Sequence, residues 1–229
     1  MRKLAIVGYG KMGRLIEQLA PEYGFEVALK LDEFNNVNGG GLTAENFQGI
    51  DVAIEFSIPS AVAGNVAGVA KLGVPLVVGT TGWLEHLEQV KRTVAAHDSG
   101  LVWSPNFSIG VNVFFRLVAE AARLLSEEPA YGSWAWEIHH SAKKDAPSGT
   151  LLKLVDEMKK AGYTRNIDVG SNRAGTIPGT HEIGFDSAAD TITLRHTARS
   201  REGFARGALK AAGWIAGKKG FYEFSEIEF

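Results

Sequence analysis

Cysteine is absent from this 229-residue chain, which excludes disulfides, thiolate metal sites and a thiol nucleophile, so redox chemistry here requires a bound cofactor. Positive charge is not in excess either. The 24 Lys and Arg against 26 Asp and Glu leave a net charge of -2, whereas a protein whose main task is to hold nucleic acid needs a basic face to neutralise phosphate. Small anions remain within reach of local Lys and Arg. No apolar run is long enough to span a bilayer, and Leu4-Ala5-Ile6-Val7 lies close to Met1 with no secretion-type apolar region before it. The expectation is a soluble, cytoplasmic protein with no membrane and no nucleic-acid partner. Internal repeats and low-complexity segments are also missing.

What is present is alternation. Short apolar runs at Leu4–Gly8, Val27–Leu31, Val52–Phe56, Pro75–Gly79 and Leu101–Ser104 are separated by stretches that suit helices at Met12–Leu19, Ala61–Leu72 and Leu84–Ala96. This pattern predicts a doubly wound parallel sheet, with Asn35–Ala44, which holds Gly39-Gly40-Gly41, as a short connecting loop. After Gly110 the character changes to an apolar helix over about Val111–Leu125, followed by strands at Trp134–Ile138, His181–Phe185 and Thr191–Arg195. These predict a smaller α+β unit whose mixed sheet is open on one face. A last helix, about Gly203–Ala216, and the apolar Phe221–Phe224 suit either unit. Assigned to the first, they give a dinucleotide-binding domain of residues 1–108 with 204–229, and a substrate-binding and oligomerisation domain of residues 109–203.

The first strand runs into Gly8-Tyr9-Gly10-Lys11-Met12-Gly13, a GxGxxG turn ahead of a helix. Gly8 permits the tight turn, Gly10 lets backbone approach a pyrophosphate, and Gly13 allows the helix to pack closely, leaving N–H groups aimed at an anion. This makes the first unit a Rossmann-type fold. The alternative is a glycine turn with no ligand. Asp32, about 20 residues on, has the spacing of a carboxylate that accepts ribose hydroxyls, while neighbouring Lys30 would instead attract a 2′-phosphate, so NADH and NADPH both stay open. Gly79-Thr80-Thr81-Gly82 and Ser104-Pro105-Asn106-Phe107-Ser108 end further strands, where ligands of open α/β sheets bind, though ordinary turns have the same composition.

The most informative segment runs from Glu137 to Thr150, EIHHSAKKDAPSGT. His139, His140, Lys143 and Lys144 supply protonatable groups, and Pro147-Ser148-Gly149-Thr150 leads into the apolar helix that starts at Leu151. First-turn N–H groups with the Ser148 and Thr150 hydroxyls form a cradle for a carboxylate. No metal site is expected: adjacent histidines on a pleated strand point to opposite faces, and no third ligand is evident.

The glycine fingerprint, GTTG, PNFS and HHSAKKDAPSGT, in this order, resemble the dihydrodipicolinate reductase family, also called 4-hydroxy-tetrahydrodipicolinate reductase. The likeness continues through Arg173-Ala174-Gly175, Gly179-Thr180-His181 and His196-Thr197-Ala198-Arg199-Ser200-Arg201, and so covers nearly the whole chain. It implies NADH or NADPH as cofactor, a small cyclic dicarboxylate as substrate, and a homotetramer joined through the open sheets that carry Trp134 and Trp136. By the same likeness, His139 and Lys143 are proton donors, and His140, Ser148, Gly149 and Thr150 contact substrate. The implied nucleotide footprint is Gly8 to Gly13, Gly79-Thr80-Thr81 and Ser104 to Phe107, with Ser104 standing where alanine is commoner. Use of both histidines implies that their strand ends near Ile138. Arg173, His181, His196, Arg199 and Arg201 are secondary candidates outside the catalytic set, and an Arg in such a connection is more often solvated or inter-subunit. Two rivals remain: a dehydrogenase of another small amino or sugar acid, and a non-catalytic module that senses nucleotide redox state.

Overall fold

The computed structural model describes residues 1–227. The chain forms two units, Met1–Ser108 with Glu202–Phe229, and Ile109–Arg201. Residues 228 and 229 of the expected first domain lie outside the described residues. The return from the second unit comes at Arg201/Glu202, not at 203/204, because the last helix starts at Glu202.

The first unit opens with β1 (Arg2–Val7), α1 (Lys11–Leu19), β2 (Phe25–Leu31), β3 (Val52–Glu55), α2 (Pro59–Lys71), β4 (Leu76–Val78), α3 (Leu87–Ala96) and β5 (Gly100–Trp103). The second unit follows with α4 (Ile109–Leu125), β6 (Gly132–His139), α5 (Gly149–Lys160), β7 (Ile167–Arg173), β8 (Thr180–Asp186) and β9 (Thr191–Thr197). The chain then re-enters the first unit with α6 (Glu202–Ile215) and β10 (Gly220–Glu223).

All pairings in the first sheet are parallel, in the order β10-β5-β4-β3-β1-β2. Residues of both strand parities are buried, because helices cover both faces. Ala5, Val7, Ala53, Leu76, Val78 and Leu101 pack with valines of α2 and α3, while the alternate residues Leu4, Ile6, Ile54, Val77 and Val102 are fully buried on the opposite face. β1 pairs with β2 on one side and β3 on the other, so Val7 stands opposite both Leu31 and Glu55. That is the topological switch point, where the crevice of such sheets opens. The apolar Phe221–Phe224 segment, which suited either unit, supplies β10 at the edge of this sheet beside β5.

The second sheet, ordered β7-β6-β8-β9, is mixed: β6 and β7 run parallel, and the other pairs are antiparallel. α4 and α5 cover one face through Phe114, Phe115, Val118, Leu151, Leu154 and Met158, against Ala135, Ile183 and Phe185. Along β6, Ala135, Glu137 and His139 are buried, whereas Trp134 and Trp136 are half-buried at the alternating positions. The Trp134 ring occupies the space a side chain at Gly184 would need, where a Cβ would lie 2.0 Å from it.

Two details differ from expectation. The helix expected over Leu84–Ala96 starts with a separate 3-10 turn, Leu84–His86, before α3. β7 was not foreseen, because IDVGSNR is polar along most of its length and buries only Ile167, as an edge strand does.

Candidate active site

A cleft of about 790 Å³ opens at the switch point, lined among others by Gly8, Tyr9, Gly10, Asp32, Glu33 and Asn65. The three fingerprint glycines have different reasons to lack a side chain. Gly8 has φ +100° and a Cβ there would sit 2.2 Å from the Phe56 carbonyl oxygen, while a Cβ at Gly13 would lie 2.6 Å from that of Gly8. Those two are fixed by packing. Gly10 has nothing within 4 Å of its Cβ position, so backbone at the start of α1 is open to a ligand. An anion there would meet free N–H groups and the positive end of the helix dipole. Lys11 is exposed and Met12 half-buried on the first turn.

Asp32 follows β2, and its Oδ1 accepts hydrogen bonds from the N–H groups of Phe34 (2.9 Å) and Asn35 (3.1 Å). Lys30 is directed elsewhere: its Nζ donates to Glu17 Oε1 at 3.0 Å, the same carboxylate that the Tyr9 hydroxyl bonds. The structure thus fixes the Lys30 ammonium on Glu17 and over the Tyr9 ring, 5.2 Å from its centroid.

The other two expected nucleotide segments do not line the cleft. A Cβ at Gly79 would lie 2.1 Å from the Phe56 ring. Thr80 is buried, with its Oγ1 accepting from Ser57 N at 2.7 Å, and Thr81 is exposed. After β5, Ser104 Oγ bonds the Asn106 backbone, Pro105 is exposed, and Asn106 Oδ1 accepts from Ser108 N at 2.9 Å. Phe107 is 2% exposed and its ring packs on Phe224 at 4.8 Å, so that ring belongs to the core.

In the second unit, β6 continues through His139, one residue beyond the expected end, and His140 starts the following loop. Glu137 and His139 therefore share a face of the strand. Glu137 is fully buried and its Oε1 is saturated, accepting from Ser148 N (2.8 Å), Ser171 Oγ (2.7 Å) and Arg173 NH2 (2.9 Å). Its Oε2 lies 3.3 Å from His139 Nδ1 and 3.4 Å from His181 Nε2. Burial alone would push this carboxyl up; the bonds from Ser148, Ser171 and Arg173 overcome it and hold the group at about 2. Burial lowers His139 against the pull of Glu137, and lowers His181 to about 4, with the neighbouring His139 adding to the effect. Arg173, expected to be solvated or inter-subunit, has a side chain only 16% exposed and is the counter-ion of this buried carboxylate.

Ser148 is the N-cap of α5: its Oγ accepts from Leu151 N at 3.2 Å and lies 3.2 Å from His181 Nε2. The space beside Gly149 is open, with nothing within 4 Å of its Cβ position, and Thr150 is half-buried on the next residue. The Lys143 ammonium bonds Asp145 at 2.8 and 2.9 Å. Lys144 is exposed, as are Arg199 and Arg201. His196 is paired in register with His181 across β8 and β9 and stacks near Phe114 at 6.0 Å. The adjacent pair His139-His140 is not the cluster; Glu137, His139 and His181 are, with one possible ligand atom from each within 4.8 Å of the others. A carboxylate and two imidazoles so placed could hold a metal, but the same carboxylate already carries a guanidinium. The signal in the sequence was a Glu and a His at the inward positions of an otherwise apolar strand.

A doubly wound parallel sheet with GxGxxG at its switch point, joined in one chain to a unit holding an acid/base cluster at a capped helix, defines a nicotinamide-nucleotide oxidoreductase. Residues 2–107 match the family model for the dihydrodipicolinate reductase N-terminus, and residues 110–227 match that for its C-terminus. The 4-hydroxy-tetrahydrodipicolinate reductase of Christiangramia forsetii is 35% identical over 98% of this chain and 96% of that protein, and that of Methanoregula boonei is 39% identical over 77% and 74%. In fold, the chain is similar to the dipicolinate-bound dihydrodipicolinate reductase of Paenisporosarcina sp. TG-14, with a TM-score of 0.83 over the whole of both chains at 22% identity. The chain belongs to the dihydrodipicolinate reductase family. It is an NAD(P)H-dependent oxidoreductase of lysine and diaminopimelate biosynthesis.

Proposed function

We propose that the enzyme reduces 4-hydroxy-tetrahydrodipicolinate to tetrahydrodipicolinate, consuming one NAD(P)H and one proton and releasing water. The names of the curated relatives support this substrate. The observation that carries it is the Ser148-capped start of α5 beside the His139–Glu137 pair, which sets a carboxylate cradle against an imidazole.

In this reading the first unit is the dinucleotide-binding domain and the second the substrate-binding and oligomerisation domain. The pyrophosphate is held at Gly8 to Gly13, above all at Gly10, and the adenosine ribose at Asp32; Gly79, Thr80, Thr81 and Ser104 to Phe107 make the remaining contacts, Phe107 through its backbone. When bound, the reduced nicotinamide supplies the hydride. His140, Ser148, Gly149 and Thr150 fix the substrate carboxylates. His139 delivers a proton, and Lys143, on exchanging Asp145 for the dianion, stabilises charge that develops on the ring nitrogen. The enzyme works in the cytoplasm as a homotetramer joined through the sheet faces that carry Trp134 and Trp136.

Mixing the protein with freshly generated 4-hydroxy-tetrahydrodipicolinate and following nicotinamide absorbance tests this directly. Oxidation of the coenzyme is expected, and His139→Gln should cut kcat by roughly 100- to 10,000-fold, the range of general acid catalysis, with nucleotide affinity retained. Nucleotide binding without oxidation would overturn the substrate.

A further inference from the structure

We infer that Glu137 is a positioning residue for the proton donor: its Oε2 holds His139 in the Nδ1-protonated tautomer and leaves Nε2 to exchange the proton with substrate. This rests on the reading of His139 as that donor.

The two oxygens of Glu137 have separate tasks. Oε1 takes three donors, from Ser148, Ser171 and Arg173, which anchor the carboxylate from α5 and β7. Oε2 is buried with no hydrogen-bond donor at bonding geometry, and the atoms facing it are the imidazole nitrogens of His139 and His181 at 3.3 and 3.4 Å. His139 Nδ1 is likewise buried without a bonded partner. A nitrogen lone pair facing a carboxylate oxygen at that distance is repulsive, whereas an N–H there is attractive, so the proton sits on Nδ1. The ring is fixed at its other end by close backbone approach, since a Cβ at Gly179 would lie 2.8 Å from Nε2. Separations of this kind shorten when a ligand completes the site.

The balance of the step follows. Loss of water from the 4-hydroxy ring first leaves a C=C bond conjugated with the C=N bond; hydride then adds to the far carbon of that C=C as the Nε2–H bond of the His139 imidazolium breaks, its electron pair staying on Nε2 and the proton passing to the ring nitrogen. The enamine so formed gives its N–H proton to water while a ring carbon takes one up, which restores the C=N bond of tetrahydrodipicolinate. What remains at His139 is the neutral imidazole already held by Glu137, so no ring flip precedes reprotonation from water. Ser148 joins this arrangement to substrate binding, because its N–H is anchored on Oε1 while its Oγ caps α5. The charged and titratable groups that bear on His139 are Glu137 on its own strand, Lys143 and Asp145 on the loop, Arg173 on β7 and His181 on β8, with His196 beyond it on β9. Glu137 and Asp145 favour the imidazolium, and Lys143 and Arg173 oppose it.

Glu137→Gln tests the inference, since the amide oxygen still accepts from Ser148, Ser171 and Arg173 while the amide N–H turned to His139 requires a bare Nδ1. Nitrogen NMR of histidine-labelled wild-type protein should show His139 as the Nδ1–H tautomer, and the variant should show Nε2–H. In the variant kcat should fall at least about 100-fold with KM for substrate within about threefold, in line with the large loss when a histidine's orienting carboxylate becomes an amide elsewhere. The alkaline fall in activity should also move to lower pH, because the charge favouring the imidazolium is gone. An Nε2–H tautomer in the wild-type protein would overturn the inference, as would a variant that folds and keeps wild-type kcat and pH profile. The NMR measurement needs neither substrate nor variant, so it decides the tautomer even if the reaction proposed above fails; a His139→Gln enzyme with full turnover would instead overturn the donor assignment.

Discussion

Arg173 NH2 donates to Glu137 Oε1 at 2.9 Å, joining residues 36 apart in sequence on neighbouring parallel strands. The pair is largely hidden from water, so removing the guanidinium leaves a buried charge without its partner. Arg173→Met is expected to cost about 3 kcal/mol of stability, the lower end for breaking a buried pair. The acid side carries a second signature. Glu137 binds fewer protons folded than unfolded, so its contribution is full above its ordinary 4.5 and is lost as pH falls toward about 2. In Arg173→Met the folded carboxyl titrates closer to its ordinary value, so denaturant titrations at stepped pH should show a smaller loss of stability between about pH 4.5 and 2 than in the wild type. An unchanged acid limb would contradict this role for Arg173.

Coenzyme choice is expected to favour NADH. Of the described residues lining the cleft, those that carry charge are Asp32 and Glu33, both negative, and the nearest lysine at the end of β2 is bonded to Glu17. A 2′-phosphate placed there meets repulsion of about 1 kcal/mol per charge pair at 4 Å in water, before salt screening. Steady-state kinetics should give kcat/KM for NADH at least about tenfold above NADPH. Glu33→Arg should narrow that gap, and Lys30→Ala should leave it in place.

Two glycines of α6 should respond to alanine with opposite signs. Helix propensity alone gains about 1 kcal/mol at either. At Gly207, however, the new Cβ would lie 1.7 Å from the Phe107 carbonyl oxygen, a backbone atom that cannot swing aside, whereas at Gly213 nothing lies within 4 Å. Gly207→Ala should lower Tm by about 2–8 °C, from a net overpacking cost of about 1–2 kcal/mol, and Gly213→Ala should raise it slightly. Equal shifts in a melting experiment would mean that helix and loop can separate.

Most of the fold was written in local patterns, and most of the site was not. Alternating apolar runs with intervening helical stretches marked β1 to β5 of the parallel sheet, because burial on both faces leaves continuous hydrophobic segments, whereas the segment that forms β10 stood out only as apolar, with no sign of the unit it joins. β7 escaped because an edge strand with only Ile167 buried looks like a polar loop. In the site, the motif named the residues that stand together in sequence, His139 to Thr150. The carboxylate that organises them was named only as the first residue of that segment, and its partners Arg173 and His181 come from other strands. Register brings them together, and register cannot be read from spacing alone. Lys30 shows the reverse: adjacent to Asp32 and free on paper, it is already paired with a glutamate on α1.

The first unit is discontinuous, with Ile109–Arg201 inserted between β5 and α6. A ribosome makes β1 through β5 first, yet α6, which covers β3, β4 and β5, and β10, which closes the sheet edge, emerge only after every residue of the second unit. The nascent nucleotide domain must therefore wait with β3, β4 and β5 uncovered on one face, where α1 covers only the neighbouring β1, while the inserted domain, continuous in sequence, has all its parts in hand. Birth order and folding order are inverted in this chain: the half begun first is finished last.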